Sequence, residues 1–153
     1  MIVREPTGAD RARVVRMGRD AFAPLGDYRR AMAGWLDNPG VATRVGVIDE
    51  DLVGFVMVAV LDDASGRHGY VLAIGVGRAH QRRGLGKELL AVGVALLTEE
   101  RERLELNELR ATVAEDNGPA RALFEAAGFS VQGRLATVYQ GGQTALTLSL
   151  TFP

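Results

Sequence analysis

The apolar positions of this chain change period several times, and each change marks an element. Ile2 to Arg4 is short and extended. Thr7 then fits a helix N-cap, with Asp10 three residues on as an approximate capping box. Helical spacing from there to about Phe22 turns Val14, Val15 and Phe22 inward, and Pro24 and Gly26 end it. A second helix, about Asp27 to Leu36, carries Ala31, Met32, Trp35 and Leu36 toward the core, and Asn38-Pro39-Gly40 is a strong stop. Val41 to Ile48 and Leu52 to Leu61 are strands joined by a turn at Asp49-Glu50-Asp51. Phe55 to Val60 is apolar throughout, which predicts a strand covered on both faces. Asp62 to Gly69 is polar and reads as a loop. Val71 to Val76 is an apolar run of strand length.

Helical spacing returns from about Leu85 to Glu100, with Leu85, Leu89, Leu90, Leu96 and Leu97 on one face. Leu109 to Val113 is a strand. Asp116-Asn117-Gly118-Pro119 starts another helix, with Pro119 suited to its first turn. Ala120, Leu123, Phe124 and Ala127 form its inner stripe, and Gly128 is a C′ glycine. The tail from Phe129 to Phe152 holds two alternating runs about Gln140-Gly141-Gly142, a closing hairpin with Leu146, Leu148 and Leu150 on one side. The order β-α-α-β-β-β-α-β-α-β-β is an α+β arrangement, a mixed sheet with helices on both faces. Gly75 and Gly77, at a strand end, predict a bulge or a close approach of ligand or backbone.

Composition narrows the chemistry. At 153 residues, residues 1–153 are expected to form a single domain. A net charge of −1 gives no broad electrostatic case for nucleic acid or an anionic membrane as partner. The absence of cysteine excludes disulfides, thiolate metal sites and a cysteine nucleophile, and two histidines argue against a metal cluster. No apolar run reaches the ~18 residues of a membrane span. The N-terminus has no signal-peptide pattern, so a cytoplasmic location is expected.

The chemistry concentrates between Val71 and Leu90. A buried strand runs into a glycine-bearing loop and then a helix, an arrangement that points unpartnered N–H groups at an anion. Arg82, Arg83 and Lys87 lie at that helix start, where cations are each disfavoured by roughly 0.3–1 kcal/mol. A bound anion would reverse the sign. A P-loop does not fit: Gln81 stands where its first glycine belongs, and Glu88 follows Lys87. No G-x-G-x-x-G is present. The pattern that does fit is Q/R-x-x-G-x-G, as Gln81-Arg82-Arg83-Gly84-Leu85-Gly86. Here the sequence resembles the GCN5-related N-acetyltransferases. A second motif of that family, V-x-x-x-N-x-x-A-x-x-L-Y-x-x-x-G-F, is matched by Val113 to Phe129, except that Phe124 replaces the tyrosine.

The resemblance covers nearly the whole chain and implies a three-layer fold around a mixed, mostly antiparallel seven-stranded sheet. It implies acetyl-CoA as co-substrate, without a metal. Ile74, Gly75 and Val76 would pair with the pantetheine arm; Gln81, Arg82, Arg83, Gly84, Leu85, Gly86 and Lys87 would hold the pyrophosphate; Asn117 and Phe124 would border the cofactor from the other side. The reaction implied is direct attack of a primary amine on the thioester in a ternary complex. An acid and a base can each contribute ~10²–10⁴-fold. Phe124 cannot donate a proton, so Tyr139 or water is the candidate acid. Thr112 stands where some relatives carry a carboxylate. The start of the fourth strand, near Tyr70, is another base position. Glu115 reads as a solvated loop residue; His68, near the right strand end, has an imidazole whose ordinary pKa of ~6.5 would suit a base, but reads first as an exposed loop histidine. The Val76 N–H is the oxyanion donor by resemblance. Tyr28 and Trp35 fall in the region that borders the acceptor cleft in the family, though Trp35 also fits a core position. The acceptor, a small-molecule or peptide amine, stays open, and the terminal hairpin could support a homodimer. The contrasting reading is an acyl-CoA-binding sensor or partner-binding module without turnover.

Overall fold

The computed structural model describes residues 1–136 and 138–152; Thr137, inside the expected closing hairpin, and Pro153 fall outside it. The chain opens with strand β1 (Ile2–Arg4). The Thr7 N–H donates to Asp10 Oδ2 at 2.7 Å, and Arg4 donates to the same carboxylate at 2.7 Å. The capping box is therefore present, but the turn it closes is a 3-10 turn over Gly8–Asp10, ahead of α1 (Arg11–Phe22). α2 (Arg29–Asp37) starts two residues later than the pattern suggested. Asp27 Oδ1 accepts the Arg29 N–H at 3.1 Å, which turns the chain just before the helix. Met32 of α2 lies against Gly18 of α1, where a Cβ would fall 2.4 Å from the Met32 methyl.

β2 (Val41–Ile48), β3 (Asp51–Asp63) and β4 (Gly66–Val76) form a meander. The turn between β2 and β3 is two residues, Asp49 and Glu50, both at positive φ, as a tight hairpin turn requires. The loop expected over residues 62–69 is not there. β3 and β4 run on to a turn at Ala64-Ser65, where Asp63 Oδ1 accepts the Ser65 N–H at 2.9 Å and Gly66 takes φ +104°. Strand ends that project beyond the core need no apolar side chains, so their polarity imitated a loop. His68 is accordingly no loop histidine: it sits on β4 at 2% exposure.

The rest follows the pattern closely: α3 (Leu85–Glu99), β5 (Glu108–Ala114), α4 (Gly118–Ala126), β6 (Ser130–Leu135) and β7 (Ala145–Thr151). The sheet order is β1-β2-β3-β4-β5-β7-β6. The β4–β5 pair is parallel and the other neighbours are antiparallel. α1 and α2 pack with Phe55, Met57 and Ala73 on one face of the sheet; α3 and α4 pack with Val56, Val58, Val71 and Leu109 on the other. Both faces of β3 are thus covered, which is why it is apolar without alternation.

One irregularity positions the site. The β3–β4 register jumps between Met57 and Val58, leaving Leu72 as an extra residue on β4. The bulge is therefore at Leu72 and not at Gly75 or Gly77. Gly75 instead answers to packing, since a Cβ there would fall 2.7 Å from the buried Phe55 ring. Beyond the bulge β4 leaves its parallel neighbour: the two strands pair only over Gly69–Val71 and Leu109–Ala111.

Candidate active site

Where β4 and β5 part, a cleft of about 430 Å³ opens through the sheet. Leu72, Ala73 and Ile74 line one wall, and Thr112, Val113 and Ala114 line the other. Phe22 from α1 and Phe124 from α4 close it from opposite faces of the sheet. The Gly77 N–H donates to the Val53 carbonyl at 2.8 Å. Strand alternation therefore turns the N–H and C=O groups of Val76 and Ile74 the other way, toward the opened edge. An extended, amide-bearing ligand could pair there as an added strand does. The Val76 carbonyl is already held by Gln81 Nε2 at 3.1 Å. Gln81 thus braces the strand end against the loop.

The loop itself is strained in the manner of an anion cradle. Arg82 takes φ +66° and Gly84 φ +78°. A left-handed residue other than glycine costs roughly 1 kcal/mol. The Glu88 N–H closes the first helical bond, onto the Gly84 carbonyl. The N–H groups of Leu85, Gly86 and Lys87 are left over by helix geometry and find no acceptor among the described residues. Arg82, Arg83 and Lys87 are exposed, and none pairs with a carboxylate among the described residues. Most other arginines do, as Arg121 with Glu125 at 2.9 Å. Gly86 has helical backbone and space for a side chain, with Leu123 the nearest atom at 3.6 Å. Neither fold nor packing calls for glycine there, so a ligand's approach is the remaining reason. These features fit a pyrophosphate.

Asn117 caps α4, its Oδ1 accepting the Ala120 N–H at 3.2 Å, and it lines the cleft. Phe124 is buried edge-on against Phe129 with ring centroids 5.2 Å apart. Tyr139 lies in the link between β6 and β7, not on a strand, and reaches the cleft. Burial first, then the neighbouring Tyr28 and Tyr70, push its hydroxyl up to about 12. Burial raises Tyr28 as well. Of the chain's three tyrosines only Tyr139 lines the cleft; Tyr28 and Tyr70 lie near enough to influence its charge. Tyr28 also joins Phe22 (5.3 Å between centroids) and Trp35 (6.4 Å) in an aromatic wall.

One pairing and one residue escaped the sequence reading. The Tyr70 hydroxyl hydrogen-bonds Thr112 Oγ1 across β4 and β5, two residues 42 apart in the chain. Asp116 lines the cleft and is, among the described residues, the sole carboxylate that does. Its place directly before the capping Asn117 was the available signal. Glu115 pairs with Arg134 at 2.6 Å instead of facing the cleft. His68 packs against Tyr70, its Nδ1 3.2 Å from the Gly66 carbonyl, away from the cleft lining. No group of three His, Asp or Glu side chains among the described residues could hold a metal, and no helix among them is long and apolar enough to cross a membrane.

The sequence profile of the Acetyltransferase (GNAT) family matches residues 15–129. The fold is similar to that of the ribosomal-protein-alanine N-acetyltransferase of Brucella melitensis, with TM-score 0.82, 23% identity, and coverage of 99% of this chain and 100% of that one. It is also similar to the NAA60 protein of Arabidopsis thaliana in complex with acetyl-CoA, with TM-score 0.80, 19% identity, and coverage of 99% and 98%. An acetyltransferase of the GNAT family from Streptococcus pneumoniae gives TM-score 0.74 at 18% identity, covering 99% of each chain. No curated protein matches the chain at significant similarity.

Proposed function

The chain belongs to the acetyltransferase (GNAT) family, and from that premise we propose that its cleft transfers acetyl from acetyl-CoA to a primary amine in a ternary complex. The observation that carries this reading is the conjunction of a parted β4–β5 pair with an unpaired basic loop at the cleft's end. Gln81 through Lys87 hold the pyrophosphate by helix-start N–H groups and cationic side chains. The open edge at Ile74 and Val76 takes the pantetheine, with Asn117 and Phe124 facing it, while the backbone groups of Gly75, expected to join them, turn to β3 and not to the cofactor. Bound acetyl-CoA supplies an acyl group on a thiol whose pKa near 8.5 makes it a fair leaving group.

The protein's own groups do the rest. The N–H groups of Ile74 and Val76 both face the opened edge but lie about 6.6 Å apart, too far to share one oxygen, so a single one, the Val76 N–H, donates to the acetyl oxygen as it gains charge. Tyr139 keeps its proton throughout the neutral range and can deliver it to the departing sulfur, the role that Phe124 cannot fill. Tyr70 and Thr112 hold each other at the cleft wall and fix the acceptor's path. Phe22 and Tyr28 exclude water from the acceptor side. Among the described residues the cleft lining offers no imidazole, and its one carboxylate is the exposed Asp116. The acceptor therefore reacts as free amine, its proton lost to water or to the exposed Asp116. kcat/KM should accordingly rise with pH up to the amine's own pKa.

The test is release of free CoA thiol when purified protein meets acetyl-CoA and a panel of small-molecule and peptide amines. Amine-dependent release is the expected result. Acetyl-CoA that stays bound and intact beside every amine would instead select a binding module without turnover.

A further inference from the structure

On the reading that the cleft acetylates amines, we infer that a second hollow beside it binds an anionic group, a carboxylate or phosphate, carried by the acceptor. The hollow holds about 630 Å³ and lies between α1 and the turn after β4. Arg13, Arg16 and Asp20 line it from the helix, and Val76, Arg78 and Gln81 line it from the turn. Its charge is unbalanced. Asp20 is taken by Arg19 at 2.9 Å. Arg13 reaches Asp51 only at 3.9 Å. Arg16 and Arg78 have no carboxylate partner among the described residues, in a chain that pairs most of its arginines. Three guanidinium groups around one open space, two of them unneutralised, repel each other unless an anion enters.

Position says whose anion it is. Ala21 lines both this hollow and the cleft, so the two are neighbours along α1. The hollow lies on the α1 face of the sheet, whereas α3, whose first N–H groups await the pyrophosphate, packs on the opposite face. A phosphate held at the start of α3 is therefore not the natural occupant. Arg16 precedes Ala21 by five residues, about 7.5 Å along the helix axis at 1.5 Å per residue. That span is roughly two residues of extended chain. The carboxylate of a simple α-amino acid is too close to its own amine to reach. An ω-amino acid fits, and so does a peptide with an acidic side chain two or three residues after its free amine.

The experiment compares matched acceptors at saturating acetyl-CoA: 6-aminohexanoate against hexylamine, and tripeptide amides that differ only by Glu or Gln in third place. The wild-type protein should prefer the acidic member by roughly two- to fivefold in kcat/KM, the range expected of exposed ion pairs. The preference should fade at 0.5 M salt. Arg16→Ala/Arg78→Ala should erase it while leaving hexylamine turnover and the KM for acetyl-CoA unchanged. Arg16→Glu should reverse it, with 1,6-diaminohexane overtaking 6-aminohexanoate. Equal use of both members by the wild type would overturn the inference. So would a double variant that weakens acetyl-CoA alike with every acceptor, because the hollow would then serve the cofactor. A protein that transfers acetyl to no amine fails the parent reading as well, and that result is distinct because hexylamine too is left untouched.

Discussion

At the scale of single side chains, the proposed mechanism rests most heavily on Tyr139. Apart from Thr112 it is the hydroxyl-bearing residue among the described residues of the lining, and the proposal has it supply the hydroxyl that Phe124 lacks. Tyr139→Phe should lower kcat about tenfold or more while leaving the acetyl-CoA dissociation constant within twofold; unchanged kcat in a single-turnover assay would remove Tyr139 from the mechanism. Its folded pKa lies above the unfolded value near 10. Whatever stability this lends is complete below pH 10 and is lost as pH climbs to about 12. Asp10 behaves in the opposite sense. Hydrogen bonds from Arg4, then the Thr7 N–H, hold its carboxyl down at about 2. Its contribution is full above the unfolded pKa near 4 and disappears as pH falls through 2. Asp10→Asn should therefore cost about 1–2 kcal/mol at pH 7, discounted for the solvent-washed Arg4, and progressively less in denaturant titrations between pH 4 and pH 2.

At the scale of elements, the loop and the parted strands separate function from stability. Gly84→Ala must hold a side chain at φ +78°, a strain of about 1 kcal/mol, with open space around it. Gly86→Ala meets nothing closer than 3.6 Å and gains up to about 1 kcal/mol of helix propensity. Chemical denaturation of Gly86→Ala should show equal or higher stability, yet acetyl-CoA should bind at least tenfold more weakly. Undiminished binding would show that the ligand does not approach that backbone. Most of this scale was legible in the sequence. Period-2 and period-3.6 patterns marked the strands and helices, and Thr7, Asn117 and Gly128 marked ends that the structure keeps. Three things were not legible. The bulge at Leu72 inserts an ordinary apolar residue into an apolar run, so it leaves no compositional trace. The β3–β4 turn hid in polar strand ends. The Tyr70–Thr112 contact depends on a parallel pairing between residues far apart in sequence, which no local pattern encodes.

The whole molecule is a sheet divided between two tasks. β1 to β4, with α1 and α2, carry one wall of the cleft and the basic hollow; β5 to β7, with α4 and the link bearing Tyr139, carry the facing wall. α3 presents the basic glycine loop, the proposed cofactor loop, where the halves part. Near-neutral overall charge, −1, conceals a local excess at the loop and the hollow. Ligand binding at the seam should therefore couple to global stability more strongly than either half alone suggests. The most direct measurement is the thermal midpoint of the wild-type protein and of Arg82→Ala/Arg83→Ala, each with and without acetyl-CoA. At 100 times the dissociation constant the ligand adds about 2.7 kcal/mol, several degrees for a chain of this size. The expected result is such a rise in the wild type, absent from the variant, whose ligand-free midpoint equals or exceeds that of the wild type because two cations leave a helix start. No rise in the wild type, or an equal rise in both proteins, would contradict the assignment of this loop as the acetyl-CoA site.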